Sequence, residues 1–270
     1  MAERPDFSQR AELEEQMDGP CSYEELRDCL RHLAWVNRLT RAHRPVMQWV
    51  ERVADSIQSQ NPTSQNRDVG HPPLRIVDVG CGYGDMLRRI ERWAGRRGVA
   101  VELVGVDVNA NGVRAAREAT PAASRIQWLI GDVYTCEAAA GADLVTASGM
   151  THHLTEAEIV RLLEWMERTT RVGWFIVDLH RKPVPYRVFD VMMRGPWWHR
   201  FIRPDGLRSL RRSFLAEDWR RMCAAAGLDA GTVAIREHRP ARLWVGRMKE
   251  KPHSGLGGNR TEGRSWGAGE

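Results

Sequence analysis

Apolar residues recur along this chain with two different periods, and the change of period divides it. Between Ser22 and Gln58 they fall at helical spacing: Leu26, Leu30, Leu33 and Val36 share one face, and Val46, Trp49, Val50, Val53 and Ile57 share another. Ser22 and Glu25 have the spacing of a capping box, and Pro45 suits a first helical position. Two amphipathic helices over 22–58 are predicted to cap the rest of the molecule. Residues 1–21 carry no apolar period and read as a disordered tail, while 59–73, rich in Gln, Asn, Ser and Pro, read as a linker.

From Leu74 short β-branched runs alternate with helical ones. Strands are predicted at 74–80, 101–107, 126–132, 143–148 and 174–180, and helices at 85–94, 111–119, 155–169 and 216–226. Thr155 and Glu158 repeat the capping-box spacing, and Gly227 ends the last helix. Residues 232–237 and 241–247 form a closing hairpin. LRIVDVG (74–80) shows no polar alternation, as expected of a strand buried on both faces. The pattern is that of an α/β, doubly wound, mostly parallel seven-stranded sheet over 74–249 with a C-terminal antiparallel hairpin. Residues 183–213 are too long for a plain connection and read as an irregular lid or substrate insert. Residues 250–270 read as a second disordered tail.

Composition narrows the class without choosing a function. The chain has 270 residues, with 40 basic against 35 acidic side chains and a net charge of +5. That excess is too small to indicate a nucleic-acid protein by itself. No run reaches the ~18 to 20 apolar residues of a membrane span, and the polar start lacks a secretory leader's apolar core. Five scattered cysteines without a C-x-x-C pair argue against a disulfide framework or zinc site, so a reducing cytoplasm is expected.

The chemistry lies where a doubly wound sheet binds ligands, beyond the carboxyl ends of its strands. The first strand runs into Asp78-Val79-Gly80-Cys81-Gly82-Tyr83-Gly84-Asp85. The dinucleotide spacing G-x-G-x-x-G fails, because its third glycine would fall at Asp85, where a carboxylate also repels a pyrophosphate. A cofactor bearing cationic groups and no phosphate fits better, and S-adenosylmethionine is one. Asp78 would face its amino-acid end, directly or through water. Asp107, ending the second strand, would hold the ribose, and Asp132 would meet the adenine amino group with Val108 and Val133 on the ring faces. Each aspartate alone is more often a turn or cap residue; three at successive strand tips are not.

VDVGCGYGD resembles the first motif of class I S-adenosylmethionine-dependent methyltransferases, and VGVDVN and IGDVY look like their second and third. The resemblance runs from about Leu74 to Arg247 and implies their Rossmann-like fold. It implies that Gly80, Gly82 and Gly84, with Cys81 between, line the methionine moiety, that Asp107 holds ribose, and that Asp132 and Val133 hold adenine. The N-terminal helices, MTHHL and DGLRSLRRSF look similar to a bacterial small-molecule branch related to the quinone-biosynthesis methyltransferases.

The acceptor is read from the fourth strand's end, Ser148-Gly149-Met150-Thr151-His152-His153. It lacks the Asn/Asp-Pro-Pro-Tyr-like turn of enzymes that methylate exocyclic amines, which argues against nucleic acid. No carboxylate cluster suits Mg²⁺, since Asp143 begins its strand, so no metal is expected. A phenolic or enolic hydroxyl needs a base, for which His152, His153, His180 and Tyr186 are the candidates. Either histidine of the pair could equally be a helix-entry residue. The aromatics and arginines of 183–213 are read as a hydrophobic acceptor pocket with an arginine rim, as a solvated face, or as a membrane-surface or nucleic-acid contact. The expected activity is O-methylation of an aromatic or polyketide-like small molecule. The alternatives are C-methylation of a quinone precursor, a non-catalytic cofactor-binding partner subunit, and RNA methylation.

Overall fold

The computed structural model describes residues 5–59, 72–239 and 241–249. Most of the expected linker, and the tail at 250–270, lie outside the described residues. Seven strands form one sheet: β1 (Leu74–Val79), β2 (Val101–Asp107), β3 (Gln127–Ile130), β4 (Leu144–Ser148), β5 (Gly173–Leu179), β6 (Ala234–His238) and β7 (Arg242–Met248). Their order is β3-β2-β1-β4-β5-β7-β6, with β7 antiparallel to both neighbours and the rest parallel. The strand order reverses between β1 and β4, which is where such sheets open a crevice at their carboxyl ends.

Both faces of the sheet are covered. Val77 and Val79 of β1 pack with α5 (Glu156–Thr169) and α8 (Ala216–Ala225), through Ile159, Leu162, Trp219 and Met222. Leu74 and Ile76 turn the other way, onto α2 (Arg44–Ser59) and α3 (Asp85–Arg97). This two-sided burial is why β1 shows no polar alternation. The Thr155–Glu158 capping box forms as the sequence indicates, each side chain bonding the other residue's backbone N–H. Ser22 caps α1 (Tyr23–Leu39) by accepting from the Glu25 N–H, while the Glu25 carboxylate pairs with Arg200.

Three expectations need correcting. Only α1 caps the crevice; α2 belongs to the sheet's flank, where Trp49 stacks on Phe175 at 4.9 Å. Residues 183–213 are not irregular but form α6 (Pro183–Met192) and α7 (Ile202–Arg212), which share a small core with α1 through Cys29, Val36, Met193, Phe201 and Ile202. The segment before α1 is not loose over its described residues. Arg10 donates to the carbonyls of Arg212 and His152, and the Ala11 N–H donates to the Arg211 carbonyl. The buried Asp205 carboxylate accepts from the N–H groups of Gln16 and Met17 at 2.8 and 3.0 Å. Residues 5–21 are thus a strap laid along α7.

Candidate active site

The glycine loop between β1 and α3 is held open by its surroundings. Gly80, Gly82 and Gly84 all have φ between +48° and +72°. A Cβ on Gly84 would lie 2.2 Å from the Trp128 ring, so this position is closed to any side chain, whereas a Cβ on Gly82 would meet nothing within 4 Å. The loop therefore packs down at Gly84 and leaves free space at Gly82. Asp107, at the tip of β2, fixes it: one carboxylate oxygen accepts from the Gly82 N–H at 2.8 Å and the other from the Asn109 N–H at 2.9 Å.

A single cavity of about 700 Å³ opens over the carboxyl ends of the strands. At one end it is lined by Gly80, Cys81, Gly82, Asp107, Val108, Asp132, Val133 and Ser148. Val108 is 77% exposed there, and Asp132 also caps a short turn by accepting from the Tyr134 N–H. Asp78 does not reach this cavity. It is 2% exposed, accepts from the Thr146 hydroxyl at 2.7 Å, and lines a polar chamber of about 30 Å³ behind the loop with Asn37, His43, Asp85 and Ser148. A chamber that size holds about one water, which leaves only the indirect route of the two expected for Asp78. Burial, with Asp85 and Asp107 adding to it against the Thr146 bond, pushes the Asp78 carboxyl up to about 7.

Asp85, at the first position of α3, is ionised. Burial works against this, but the His43 ring nitrogen at 2.6 Å, with Arg88 and the Asn37 side chain, more than offsets it and holds the carboxyl below its ordinary value. Arg242, at the start of β7, lines the cavity and reaches the Asn37 amide oxygen at 3.4 Å. Burial lowers its pKa, and Asp178 and Asp85 act against that. Neither Asp85 nor Arg242 figured in the sequence reading as a ligand contact. Together they place an anion and a cation at the same end of the cavity, a match for an amino-acid zwitterion.

The other end is apolar, with Leu26, Cys29 and Leu30 of α1, Phe189 of α6, and Phe201 and Ile202 at the start of α7. Its polar floor comes from the strap. Glu15 is buried and accepts from the Ser209 hydroxyl at 2.7 Å. His152 is buried too, its Nδ1 2.8 Å from Asp178 and its Nε2 3.4 Å from Glu15. Burial opposes a charge on His152, but the two carboxylates outweigh it and raise its pKa to about 9. A ring engaged at both nitrogens and protonated at neutral pH is not a free base, which corrects that expectation for His152. His153 is partly open, with Nδ1 3.2 Å from Asp18 and Nε2 3.8 Å from Glu15. His180 and Tyr186 do not line the cavity: His180 turns toward Glu237 and Tyr186 packs edge-on against Phe7. Of the four base candidates the structure brings only His152 and His153 to the cavity. Sequence reasoning missed Glu15 and Asp18, which sit in a stretch without periodicity.

Residues 76–174, from β1 into β5, match the model of a methyltransferase domain family. Over that stretch, a little more than a third of its length, the chain resembles a methyltransferase domain. Around it the sheet and its antiparallel hairpin have the Rossmann-like fold of known methyltransferases. Over 114 residues the chain is 39% identical to an indolepyruvate C-methyltransferase of Streptomyces griseus, covering 39% of this chain and 33% of that protein. Another 82-residue alignment is 34% identical to a trans-aconitate 2-methyltransferase of Azoarcus sp. (strain BH72), covering 30% and 29%. The alignments therefore span about a third of these curated relatives. The fold is shared more widely. The plantazolicin methyltransferase BpumL, solved with a triazolic desmethylPZN analog and SAH, superposes with a TM-score of 0.53 at 13% identity, over 84% of this chain and 97% of that one. Among the described residues no helix is long and apolar enough to cross a membrane.

Proposed function

We propose that the protein transfers a methyl group from S-adenosylmethionine to a hydroxyl or enol oxygen of a small, largely apolar and aromatic acceptor. The observation that carries this reading is the continuity of one cavity, with a glycine loop and strand-tip carboxylates at one end and an apolar chamber with a polar floor at the other. A volume of about 700 Å³ lies within the range of small-molecule sites.

The donor end fits the cofactor group by group. Asp107 keeps acceptor capacity for the ribose hydroxyls after its two backbone bonds, and Val108 and Val133 offer apolar surface for adenine beside Asp132. Gly80, Cys81 and Gly82 let the backbone approach the methionine moiety, while Gly84, which does not line the cavity, only lets the loop pack on Trp128. Asp85 and Arg242 complement its ammonium and carboxylate. Bound there, the cofactor supplies a methyl group made electrophilic by its sulfonium.

The protein's own work is alignment, exclusion of water and removal of one proton. Helices α1, α6 and α7 wall the acceptor end with apolar side chains. The acceptor's proton leaves at this end of the cavity, where His153 is the partly open ring beside the engaged His152 and Glu15. The likeness to an indolepyruvate C-methyltransferase over 114 residues supports a second reading, methyl transfer to an enol carbon. The same floor serves it, because that reaction also sheds one proton from the acceptor.

Titration calorimetry with S-adenosylhomocysteine tests the donor end. Asp107→Ala should weaken binding by about 1.5 to 3 kcal/mol, the loss expected of hydrogen bonds to a charged group. Unchanged affinity would remove the ribose role, and no binding by the unaltered protein would sink the reading. Incubation with labelled methyl donor and a small-molecule extract, read by mass spectrometry, then separates O- from C-methylation.

A further inference from the structure

We propose that the strap and the β4 turn together form a site for one divalent transition-metal ion, with Glu15, His152 and His153 as ligands and an open position facing the acceptor chamber. The three ligand atoms lie within 4.8 Å of one another. From the Glu15 carboxylate, one oxygen is 3.4 Å from His152 Nε2 and the other 3.8 Å from His153 Nε2. Atoms that each bind a common ion at ~2.1 Å are about 3.4 Å apart at the tetrahedral angle, so small side-chain shifts close the set.

The outer contacts are those of a ligand set. Metal-binding imidazoles typically give their second nitrogen to a carboxylate, which fixes the ring and its tautomer. Both histidines do so here, His152 Nδ1 to Asp178 at 2.8 Å and His153 Nδ1 to Asp18 at 3.2 Å. Asp178 is itself held by the Thr151 hydroxyl at 2.6 Å and the His152 N–H at 2.9 Å, and Glu15 by the Ser209 hydroxyl. Every ligand is thus braced from behind, with its free atom turned to one point on the cavity wall. Two imidazoles and one carboxylate suit zinc or iron and not magnesium.

The charge around the point leaves room for a cation. Glu15, Asp18 and Asp178 face two guanidiniums, Arg10 and Arg212. Arg212 Nη1 is 3.6 Å from Glu15 and makes no hydrogen bond, so its hold on that carboxylate is electrostatic alone. A bound ion replaces the proton between His152 Nε2 and Glu15.

The site deepens the function proposed above and rests on it for its role. An oxygen bound at an ion's open position has a lowered pKa. The acceptor's hydroxyl or enol would therefore lose its proton to solvent near neutral pH. The C–O or C–C bond it then forms is balanced by rupture of the donor's S–C bond, leaving S-adenosylhomocysteine.

The test uses the full chain after chelator treatment, titrated calorimetrically with Zn²⁺ and separately with Mn²⁺. One equivalent of Zn²⁺ should bind, more tightly than Mn²⁺. Glu15→Gln and His153→Ala should abolish it, and His238→Gln, outside the cluster, should leave it intact. Asp18→Asn removes a half-exposed outer contact and should weaken Zn²⁺ about 10- to 100-fold. Absence of saturable binding, or binding unchanged in Glu15→Gln and His153→Ala, would overturn the site. S-adenosylhomocysteine is titrated into the same samples: retained cofactor binding without metal binding defeats the metal site alone, and lost cofactor binding in the unaltered protein defeats the methyltransferase reading.

Discussion

Asp78 and Asp107 end neighbouring strands with the same side chain and do different work. Asp107 is exposed enough to meet a ligand and spends both oxygens on the backbone of its own loop and the next. Asp78 is sealed beneath that loop with a pKa raised to about 7. This shift fixes a sign. Below the unfolded value of 3.8 both states hold the proton and Asp78 is neutral to stability. Between about 4 and 7 the unfolded chain releases a proton that the fold retains, so stability falls as pH rises, and above about 7 the loss is complete. Asp78→Asn should therefore gain stability over the parent at pH 8 and little or none at pH 4, measured by urea unfolding at both. An equal effect at the two pH values would mean that Asp78 is ionised in the fold throughout. The groups that face it, the Thr146 hydroxyl, Asp85 and Asp107, remain in both proteins.

Among the elements, the strap before α1 turns an open crevice into a floored chamber. Its hold on α7 is polar, with Asp205 accepting two of its backbone N–H groups and binding Arg208 at 2.9 Å. Asp205→Ala removes a charged acceptor from two partly exposed N–H groups, a cost of about 1 to 3 kcal/mol. The variant should lose that much in denaturant unfolding and become sensitive to limited proteolysis within residues 5–18. Its affinity for S-adenosylhomocysteine should stay within a few-fold of the parent, because Asp205 borders the acceptor end. Intact protease resistance would show that the apolar contacts of Met17 hold the strap without Asp205. The strap also marks where sequence reading fails. Strands β1, β2, β4 and β5 are legible because burial on two faces demands uninterrupted apolar runs, and α5 because its cap is written in residues three apart. The strap has neither signal. Its partners lie far along the chain, Asp205 being 189 residues from Gln16 and Ser209 194 residues from Glu15. Helices α6 and α7 were hidden for a related reason. Their aromatic and arginine residues do not segregate into one clean stripe, since α6 turns a half-buried Phe189 toward the cavity while leaving Val184, Val188 and Val191 outside.

As a whole, the molecule is a sheet with a ligand cavity at its switch point, closed by one helix that precedes the sheet and two that follow β5. A ligand that binds only the folded state stabilises it by about 2.7 kcal/mol at a hundred times its dissociation constant. S-adenosylhomocysteine at that level should therefore raise the thermal midpoint of the parent, and Asp107→Ala should show a smaller rise at the same concentration. Equal shifts in the two proteins would place the ligand away from the strand tips.

The sequence by itself determined the sheet, the glycine loop and the acidic strand tips, because each follows from local rules: two-sided burial, positive φ, and side chains two residues from a turn. Only the tertiary structure decided which of those groups meet the cavity. It sealed Asp78 behind the loop, locked His152 between two carboxylates, turned His180 and Tyr186 away, and brought Glu15 from an unpatterned stretch to the centre of the acceptor end. Direction and burial of a side chain depend on what packs against it from distant parts of the chain, and no spacing along the sequence carries that.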